Sequence, residues 1–364
     1  MKIVYCKAVK GAIPYKINWI LDERLERTGV RIKSKLKRNS AYRRSGKRFF
    51  NVRTKKYYSY NNMLWLLNIL PFMERQFSSS NLVDSIIIIE SLPEDESQSG
   101  LVLSRDILEL ECTLNSLALT HFDCNNKAEF FAFFDRLKTS LKENNGDVIS
   151  SSANYPILHF EIHGSEEKDG LILKDGSFIE WKVLRNLFRE INLIMNNNLI
   201  VVMAVCNGYW VTPGILPSKC TPFYTLVAPP NPISVGSVKK IFPQFYKELF
   251  QTGDLMSGYN KVKDKCALYH CEMIFIRVMA RYFAEQCTGT AKDIRINNLV
   301  SIAKSKYPQL DEKILAQICE EEIKPSEKIV NKYKRIFLQD KTPDNSDRFN
   351  IKYQDVLDYM ENYQ

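Results

Sequence analysis

Short, uniformly apolar runs alternate with amphipathic segments through the middle of the chain. Residues 86–89 and 199–205 are uniformly apolar and rich in β-branched residues, as is typical of strands buried on both faces, and residues 118–122, 156–163 and 222–228 are further strand candidates. Apolar residues between them recur at helical spacing. Strands that alternate with helices in this way predict an α/β fold, a mainly parallel sheet flanked by helices.

Four helices are predicted within this alternating part of the chain, the last of them through Phe242, Phe245, Tyr246 and Leu249. One runs from about residue 104 to 117, with an apolar face made by Ile107, Leu110, Leu114 and Leu117. Asn126 and Glu129 have the spacing of an N-cap and its capping partner, which places the start of a second helix. A third apolar stripe covers residues 181–195. The turn-forming residues 168–170 and 174–176 bracket a short predicted hairpin.

The two ends of the chain differ from its middle. From about residue 261 the pattern is helical only, with helices predicted at 267–287, 314–318 and 329–338 and a last short helix after a loop at 340–348. Residues 1–80 indicate two or three basic strands and a short helix around 63–70. We therefore predict a basic N-terminal region (1–80), a central domain (81–260) and a helical C-terminal region (261–364).

Positive charge is concentrated near the N-terminus. The formal charge is +9, but residues 1–80 alone carry 19 Lys and Arg against 4 Asp and Glu. The stretch from Lys33 to Lys56 holds eleven basic and no acidic side chains. Such a stretch could bind nucleic acid or another acidic partner, or it could be a solvated basic hairpin, and both interpretations stay open.

The composition also bears on the cellular compartment of the protein. No apolar run approaches the ~18 residues of a membrane span, so no membrane association is expected. The N-terminus opens into a strand-like pattern without the zones of a secretory signal. The nine cysteines are odd in number and irregularly spaced. We therefore expect reduced thiols and a cytoplasmic protein.

Two predicted strands end in residues that can carry chemistry. His163 is followed by Gly164, and Cys206 by Asn207 and Gly208. Parallel neighbours would place His163 and Cys206 at one edge of the sheet, where a histidine could take the proton of a thiol. Backbone N–H groups at Gly164 and at Cys206 itself could then form an oxyanion hole.

Other polar residues have simpler explanations. His159 and Glu161 share the strand face of His163, and either could orient the base or only satisfy local hydrogen bonds. Cys266, His270 and Cys271 would lie close on a helix, but they lack a fourth ligand and CxxC spacing. We therefore expect no metal and no cofactor.

These strand ends resemble a known family. Over residues 85–258 the chain is similar to the caspase-like cysteine peptidases, and most of all to the bacterial CHAT-type members, in the motifs LHFEIHG, GLILKDGSFIEW and LIVVMAVCNG. The resemblance implies a caspase-like fold and peptide-bond hydrolysis under the control of a partner or sensor. It also implies His163 as base, Cys206 as nucleophile and Gly164 as the oxyanion-hole glycine, with His159 matching the first histidine of the motif.

The leading hypothesis is a regulated cytoplasmic cysteine endopeptidase that cleaves protein substrates with His163 and Cys206 and has an activating or regulatory protein partner. A binding or scaffold module with a caspase-like fold is the alternative, and acyl transfer to a small molecule also stays open. Related peptidases that cut after Arg or Lys often carry an acidic residue where this chain has Ala204. We therefore expect an uncharged residue before the cleaved bond.

Overall fold

The structure is a computed structural model that describes residues 81–144, 155–339, 345 and 348–361, together with the backbone of the strands before residue 81. Strands β2 (Arg44–Ser45) and β3 (Arg48–Asn51) lie in the basic stretch, β4 (Lys56–Ser59) begins at its last residue, and the three pair antiparallel in the order β2-β3-β4. Strand β1 (Lys2–Val4) pairs antiparallel with β5 (Ser80–Leu82). The helix predicted at 63–70 lies outside the described residues.

A mainly parallel sheet forms the centre of the fold. Its strands are β6 (Ser85–Ser91), β7 (Ala118–Asp123), β8 (Pro156–Gly164), β11 (Ile200–Met203), β12 (Thr225–Ala228) and β13 (Ala267–His270). They run side by side in the order β7-β6-β8-β11-β12-β13, and all but β13 are parallel to their neighbours. The predicted α/β class is therefore confirmed.

A small hairpin extends the end of β8. Its strands are β9 (Gly170–Ile172) and β10 (Phe178–Glu180), which pair antiparallel with each other, and β9 pairs with the last two residues of β8. The turn between the strands closes with a hydrogen bond from the Gly176 N–H to the Leu173 carbonyl (2.8 Å). The predicted hairpin is therefore present, but the two turn signals bracket β9 alone, since residues 168–170 lead into β9 and residues 174–176 join it to β10.

Helices pack on both faces of the sheet. They are α1 (Ser99–Leu103), a π-helical turn (Ser104–Leu108), α2 (Glu109–Leu114), α3 (Lys127–Asn144), α4 (Trp181–Ile194), α5 (Val235–Thr252) and α6 (Leu255–Asn260). Phe160 of β8 packs against Phe134 of α3 and Phe188 of α4. The preceding His159 contacts Tyr246 of α5. Because successive strand residues point to opposite faces, α3 and α4 cover one face and α5 the other.

The predicted cap of α3 is confirmed. The Asn126 side chain accepts a hydrogen bond from the Glu129 N–H (3.0 Å), and the Glu129 carboxylate accepts one from the Asn125 N–H (2.9 Å). These contacts satisfy N–H groups that a helix start leaves unpaired. They also lower the pKa of Glu129, chiefly through the hydrogen bond from the Asn125 N–H.

Two sequence predictions about helices are wrong. The apolar stripe predicted for residues 104–117 does not face the core, because Leu110 and Leu114 are 64% and 70% exposed. The π-helical turn changes the phase of the helix, so Leu103, Leu108 and Cys112 are buried in place of Leu110 and Leu114. The helix predicted from residue 267 begins only at Cys271, because the four residues before it form the edge strand β13.

The chain divides into two compact units. The sheet lies in the first unit, residues 1–216 with 220–271, and the second comprises residues 217–219 with 272–364. The second contains most of α7 (Cys271–Gln286) and all of α8 (Gly289–Lys306), α9 (Glu312–Ile323), α10 (Glu327–Phe337) and α11 (Tyr353–Glu361). The helices predicted around 314–318, 329–338 and after residue 348 are confirmed. The predicted domain boundaries at residues 80 and 260 stay a prediction.

None of the helices in the described part of the chain is both long and apolar enough to span a membrane.

Candidate active site

The site is built where two adjacent parallel strands end. Strands β8 and β11 pair in a register that sets Phe160 opposite Met203, and the Ala204 N–H donates to the Phe160 carbonyl at 2.8 Å. His163 and Cys206 each follow their member of this pair by three residues. His163 is the last residue but one of β8, and Cys206 lies in the turn that follows β11, so both residues lie at the carboxyl edge of the sheet, as the sequence predicts.

Gly164 lies directly against the backbone of Cys206. A Cβ atom added at Gly164 would lie 1.7 Å from the Cys206 carbonyl oxygen and 2.8 Å from its carbon. No side chain fits in that space, since real Cβ atoms do not approach other atoms so closely. The absence of a side chain at Gly164 thus lets the two strand ends meet.

Cys206 is partly exposed, and its sulfur forms hydrogen bonds with the backbone of Ile233. The Sγ atom accepts a hydrogen bond from the Ile233 N–H (3.4 Å) and donates one to the Ile233 carbonyl (3.5 Å). Ile233 lies in the loop after β12, the next strand of the sheet. Within the described residues the Cys206 N–H makes no hydrogen bond.

Asn207 joins the loops around the thiol. Its backbone is left-handed (φ 60°), a conformation that asparagine adopts more readily than most residues. Its Nδ2 donates to the Ser165 carbonyl (3.2 Å), and its N–H donates to the Asn231 carbonyl (3.4 Å). Its Oδ1 is buried and has no hydrogen-bond partner among the described residues. Asn207 therefore holds the segments after β8, β11 and β12 together.

His163 contacts a carboxylate that the sequence did not single out. Its Nε2 lies 3.0 Å from an oxygen of Glu96, and both side chains are 42% exposed. Glu96 lies in the loop between β6 and α1, where Gln98 Nε2 donates to the Glu96 and Pro93 carbonyls at 3.3 and 2.8 Å. β6 is the parallel neighbour of β8, so its loop also lies at the carboxyl edge of the sheet. An acidic loop that follows a strand parallel to β8 was therefore the available sequence signal. That signal does not distinguish Glu96 from Glu94.

His159 and Glu161 belong to a separate buried network. His159 contacts the Tyr246 hydroxyl through Nδ1 and Glu161 through Nε2, each at 3.0 Å. The other Glu161 oxygen accepts a hydrogen bond from the Ser99 hydroxyl (2.8 Å). Burial keeps the pKa of Tyr246 well above its ordinary value, so its hydroxyl stays neutral. None of these contacts reaches His163, and the carboxylate beside His163 is Glu96 instead.

Glu90 extends this network towards α1. It lies opposite Glu161 on the neighbouring strand β6, and its carboxylate accepts hydrogen bonds from the Gly100 and Leu101 N–H groups at 2.7 and 3.0 Å. His121 Nε2 contacts the same carboxylate at 2.8 Å. The network thus fixes the start of α1, immediately after the loop that carries Glu96.

Most other described thiols are in environments unlike that of Cys206. Burial raises the pKa of Cys112 and Cys124 to about 11 and the pKa of Cys266 to about 12. Such thiols stay protonated at neutral pH and are poor nucleophiles. Of the cysteines that the structure describes, only Cys206 and Cys319 are partly exposed. Cys319 lies on α9 in the other compact unit.

Trp210 anchors the loop after the thiol. Its indole N–H donates to the Pro230 carbonyl (3.1 Å), and the Lys168 ammonium lies 5.0 Å from its ring centroid. Trp210 therefore has a structural role here, and one face of its ring is occupied by a cation. Among the described residues, no group of three or more His, Cys, Asp or Glu side chains could hold a metal ion.

No protein-family model and no curated protein sequence matches the chain. Its function is therefore inferred from the arrangement of its own residues.

Proposed function

We propose that this protein is a caspase-like cysteine endopeptidase in which Cys206 is the nucleophile and His163 the general base. The observation that carries the proposal is the shared register of β8 and β11, together with the close approach of Gly164 to Cys206. It brings a partly exposed thiol and a partly exposed imidazole to one edge of the sheet. The family resemblance of these same strand ends supports the proposal independently of the geometry.

Glu96 assigns roles to the two ring nitrogens of His163. Because Nε2 faces the carboxylate, Nδ1 is the nitrogen left to take the thiol proton. The imidazolium formed in this way would gain from the negative charge of Glu96. The partial exposure of both side chains makes the gain smaller than for a buried carboxylate–histidine pair.

The reaction then proceeds by acyl transfer. The sulfur attacks the peptide carbonyl carbon, and the carbonyl oxygen becomes an oxyanion. Collapse of this intermediate breaks the C–N bond, and the leaving amine takes the proton from His163. A water molecule, deprotonated by His163, hydrolyses the thioester and restores the Cys206 thiol.

Two backbone groups would stabilise the oxyanion. The Cys206 N–H makes no hydrogen bond within the described residues. The Ser165 N–H donates to Gly170 of the hairpin (3.0 Å), and pairing alternates along an antiparallel ladder. The preceding Gly164 N–H therefore points away from the hairpin and towards the side on which Cys206 lies. These are the donors that the sequence predicts for the oxyanion hole.

The decisive experiment incubates the full-length protein with candidate protein substrates and measures fragment masses. Cys206→Ala and His163→Ala should each lower cleavage by ~10³-fold or more, because nucleophile and base act as one unit. Cys319→Ala is the matched control, since it removes another partly exposed thiol and should leave cleavage unchanged. Full cleavage by Cys206→Ala would refute the proposal.

Substrate choice and regulation belong to the same proposal. Ala204 provides no carboxylate near the nucleophile, so the residue before the cleaved bond is expected to be uncharged. The resemblance implies an activating or regulatory partner, so the cleavage assay is run with and without candidate partner proteins. A peptide library with a strict preference for Arg, Lys or Asp at that position would contradict the expected specificity but not the dyad.

A further inference from the structure

The loop between β12 and α5 places a backbone donor on the proposed nucleophile. The Ile233 N–H lies 3.4 Å from Cys206 Sγ, and the Ile233 carbonyl lies 3.5 Å from the same atom. A neutral thiol can use both groups, as an acceptor of the N–H and a donor to the carbonyl. A thiolate can use only the N–H, and that hydrogen bond becomes stronger when its acceptor carries a charge.

This loop is held in place by the segment that carries Cys206. The Pro229 carbonyl accepts from the Tyr209 N–H (3.0 Å), the Pro230 carbonyl from the Trp210 indole (3.1 Å), and the Asn231 carbonyl from the Asn207 N–H (3.4 Å). Three consecutive carbonyls are therefore fixed to the residues immediately after the thiol. The Ile233 N–H is positioned before any substrate arrives, so no reorganisation is needed when the thiol loses its proton.

The prolines of this loop limit which of its residues can donate a backbone hydrogen bond. Residues 229, 230 and 232 are prolines, which have no N–H and a fixed φ angle. Between Ala228 and Ser234 only Asn231 and Ile233 can donate a backbone hydrogen bond. Of these two, Ile233 is the one that donates to the sulfur.

Helix α5 begins two residues after this donor. Helix α5 begins at Val235, and its N-cap Ser234 accepts a hydrogen bond from the Ser237 N–H (3.3 Å). The first turn of α5 carries no acidic side chain that would offset the positive end of the helix dipole. Negative charge is favoured at such a position, within about one turn of the helix start.

We propose that the Ile233 N–H, supported by the start of α5, is the group that stabilises the Cys206 thiolate. This inference rests on the proposed function, in which His163 takes the proton. The S–H bond breaks, the proton moves to His163 Nδ1, and the electron pair stays on sulfur. The hydrogen bond to the Ile233 carbonyl ends, while the one from the Ile233 N–H persists and strengthens.

The test compares Ile233→Pro, which removes the N–H, with Ile233→Ala, which keeps it. Full-length proteins are treated with iodoacetamide at neutral pH, and mass spectrometry follows alkylation of the peptide that contains Cys206. Because the thiolate is the reacting form, Ile233→Pro should react about tenfold more slowly than Ile233→Ala. Ile233→Ala should react within about twofold of wild type, since its backbone is unchanged. Equal rates for the two variants would overturn the inference.

A second variant keeps the test decisive if proline disrupts folding, which a thermal unfolding curve would show. Replacing Ile233 by its α-hydroxy analogue through nonsense suppression converts one amide to an ester and removes only the N–H. The same slowing is expected, and an unchanged alkylation rate would overturn the inference.

Peptide cleavage is assayed in parallel. Slowed alkylation without any cleavage by wild type would reject the proposed function, whereas Cys206-dependent cleavage with unchanged alkylation would reject the role of Ile233.

Discussion

At the residue scale, Gly164 is the position of the candidate site that least tolerates a side chain. An added Cβ would lie 1.7 Å from the Cys206 carbonyl oxygen, so an alanine must push the two strand ends apart. Gly164→Ala should lower kcat/KM by about 10²-fold or more, because a displacement of about 1 Å is enough to misalign a nucleophile. Steady-state kinetics on a cleaved peptide measure this effect.

Gly236 provides the matched control for that substitution. A Cβ at Gly236 meets no atom within 4 Å, and the residue lies in the first turn of α5. Gly236→Ala should keep full activity and raise the free energy of unfolding by up to about 1 kcal/mol. Equal activity of both alanine variants would contradict the close contact between Gly164 and Cys206.

Glu96 is expected to act through His163 as a positioning residue. Glu96→Gln keeps the size of the side chain but removes the charge, so kcat should fall about tenfold while KM changes little. Glu94 is exposed on the same loop, so Glu94→Gln is the control and should leave kcat and KM unchanged. Glu96→Asp should recover part of the lost rate. A Glu96→Gln enzyme as fast as Glu94→Gln would show that the 3.0 Å contact has no catalytic consequence.

The sequence predicted some of these residues and missed others for a physical reason. His163 and Cys206 stand out because each interrupts an apolar strand at its end, and parallel pairing places both strand ends at one edge of the sheet. Glu96 and Ile233 have no such local signal. Glu96 reaches His163 only because β6 lies beside β8, and Ile233 acts through its backbone, whose chemistry is the same in almost every residue.

At the element scale, the π-helical turn between α1 and α2 decides which residues face the core. Leu108 is fully buried, whereas Leu110 is 64% exposed. Leu108→Ala should therefore lower the free energy of unfolding by about 2–5 kcal/mol. Leu110→Ala, the same substitution two residues away, should change it by less than about 0.5 kcal/mol. Urea denaturation measures both free energies of unfolding. A larger loss for Leu110→Ala than for Leu108→Ala would contradict the π-helical turn and favour the uninterrupted helix that the sequence suggests.

Elements without a clear boundary were the hardest to predict. Strand β13 is four residues long, wholly buried, and followed at once by α7 without a Gly or Pro between them. A buried strand of that length and the first turn of a buried helix have the same apolar composition. The longer strands β6 and β8 and helix α4 were predictable because their pattern repeats over more residues.

At the scale of the whole molecule, the uneven charge suggests a docking role for the N-terminal region. Residues 33–56 carry eleven like charges, which repel one another unless they are solvated or neutralised. If they bind nucleic acid, affinity should fall by ~10³-fold or more between ~50 and ~200 mM salt. Binding of a short duplex across a salt series measures this, for wild type and for a variant with these residues changed to Ser. Unchanged binding and cleavage in the variant would leave the stretch a solvated surface.

The register of β8 and β11 also has a genetic consequence. His163 and Cys206 each stand three residues beyond the paired Phe160 and Met203, so the two arms have equal length. One inserted codon between Phe160 and His163 would shift the imidazole by up to about 3.3 Å along β8 and turn it towards the opposite face of the sheet. An inserted codon between Met203 and Cys206 would displace the sulfur from the Ile233 N–H. In-frame insertions should instead be tolerated at Asp175 and Gly176, at the exposed tip of the hairpin.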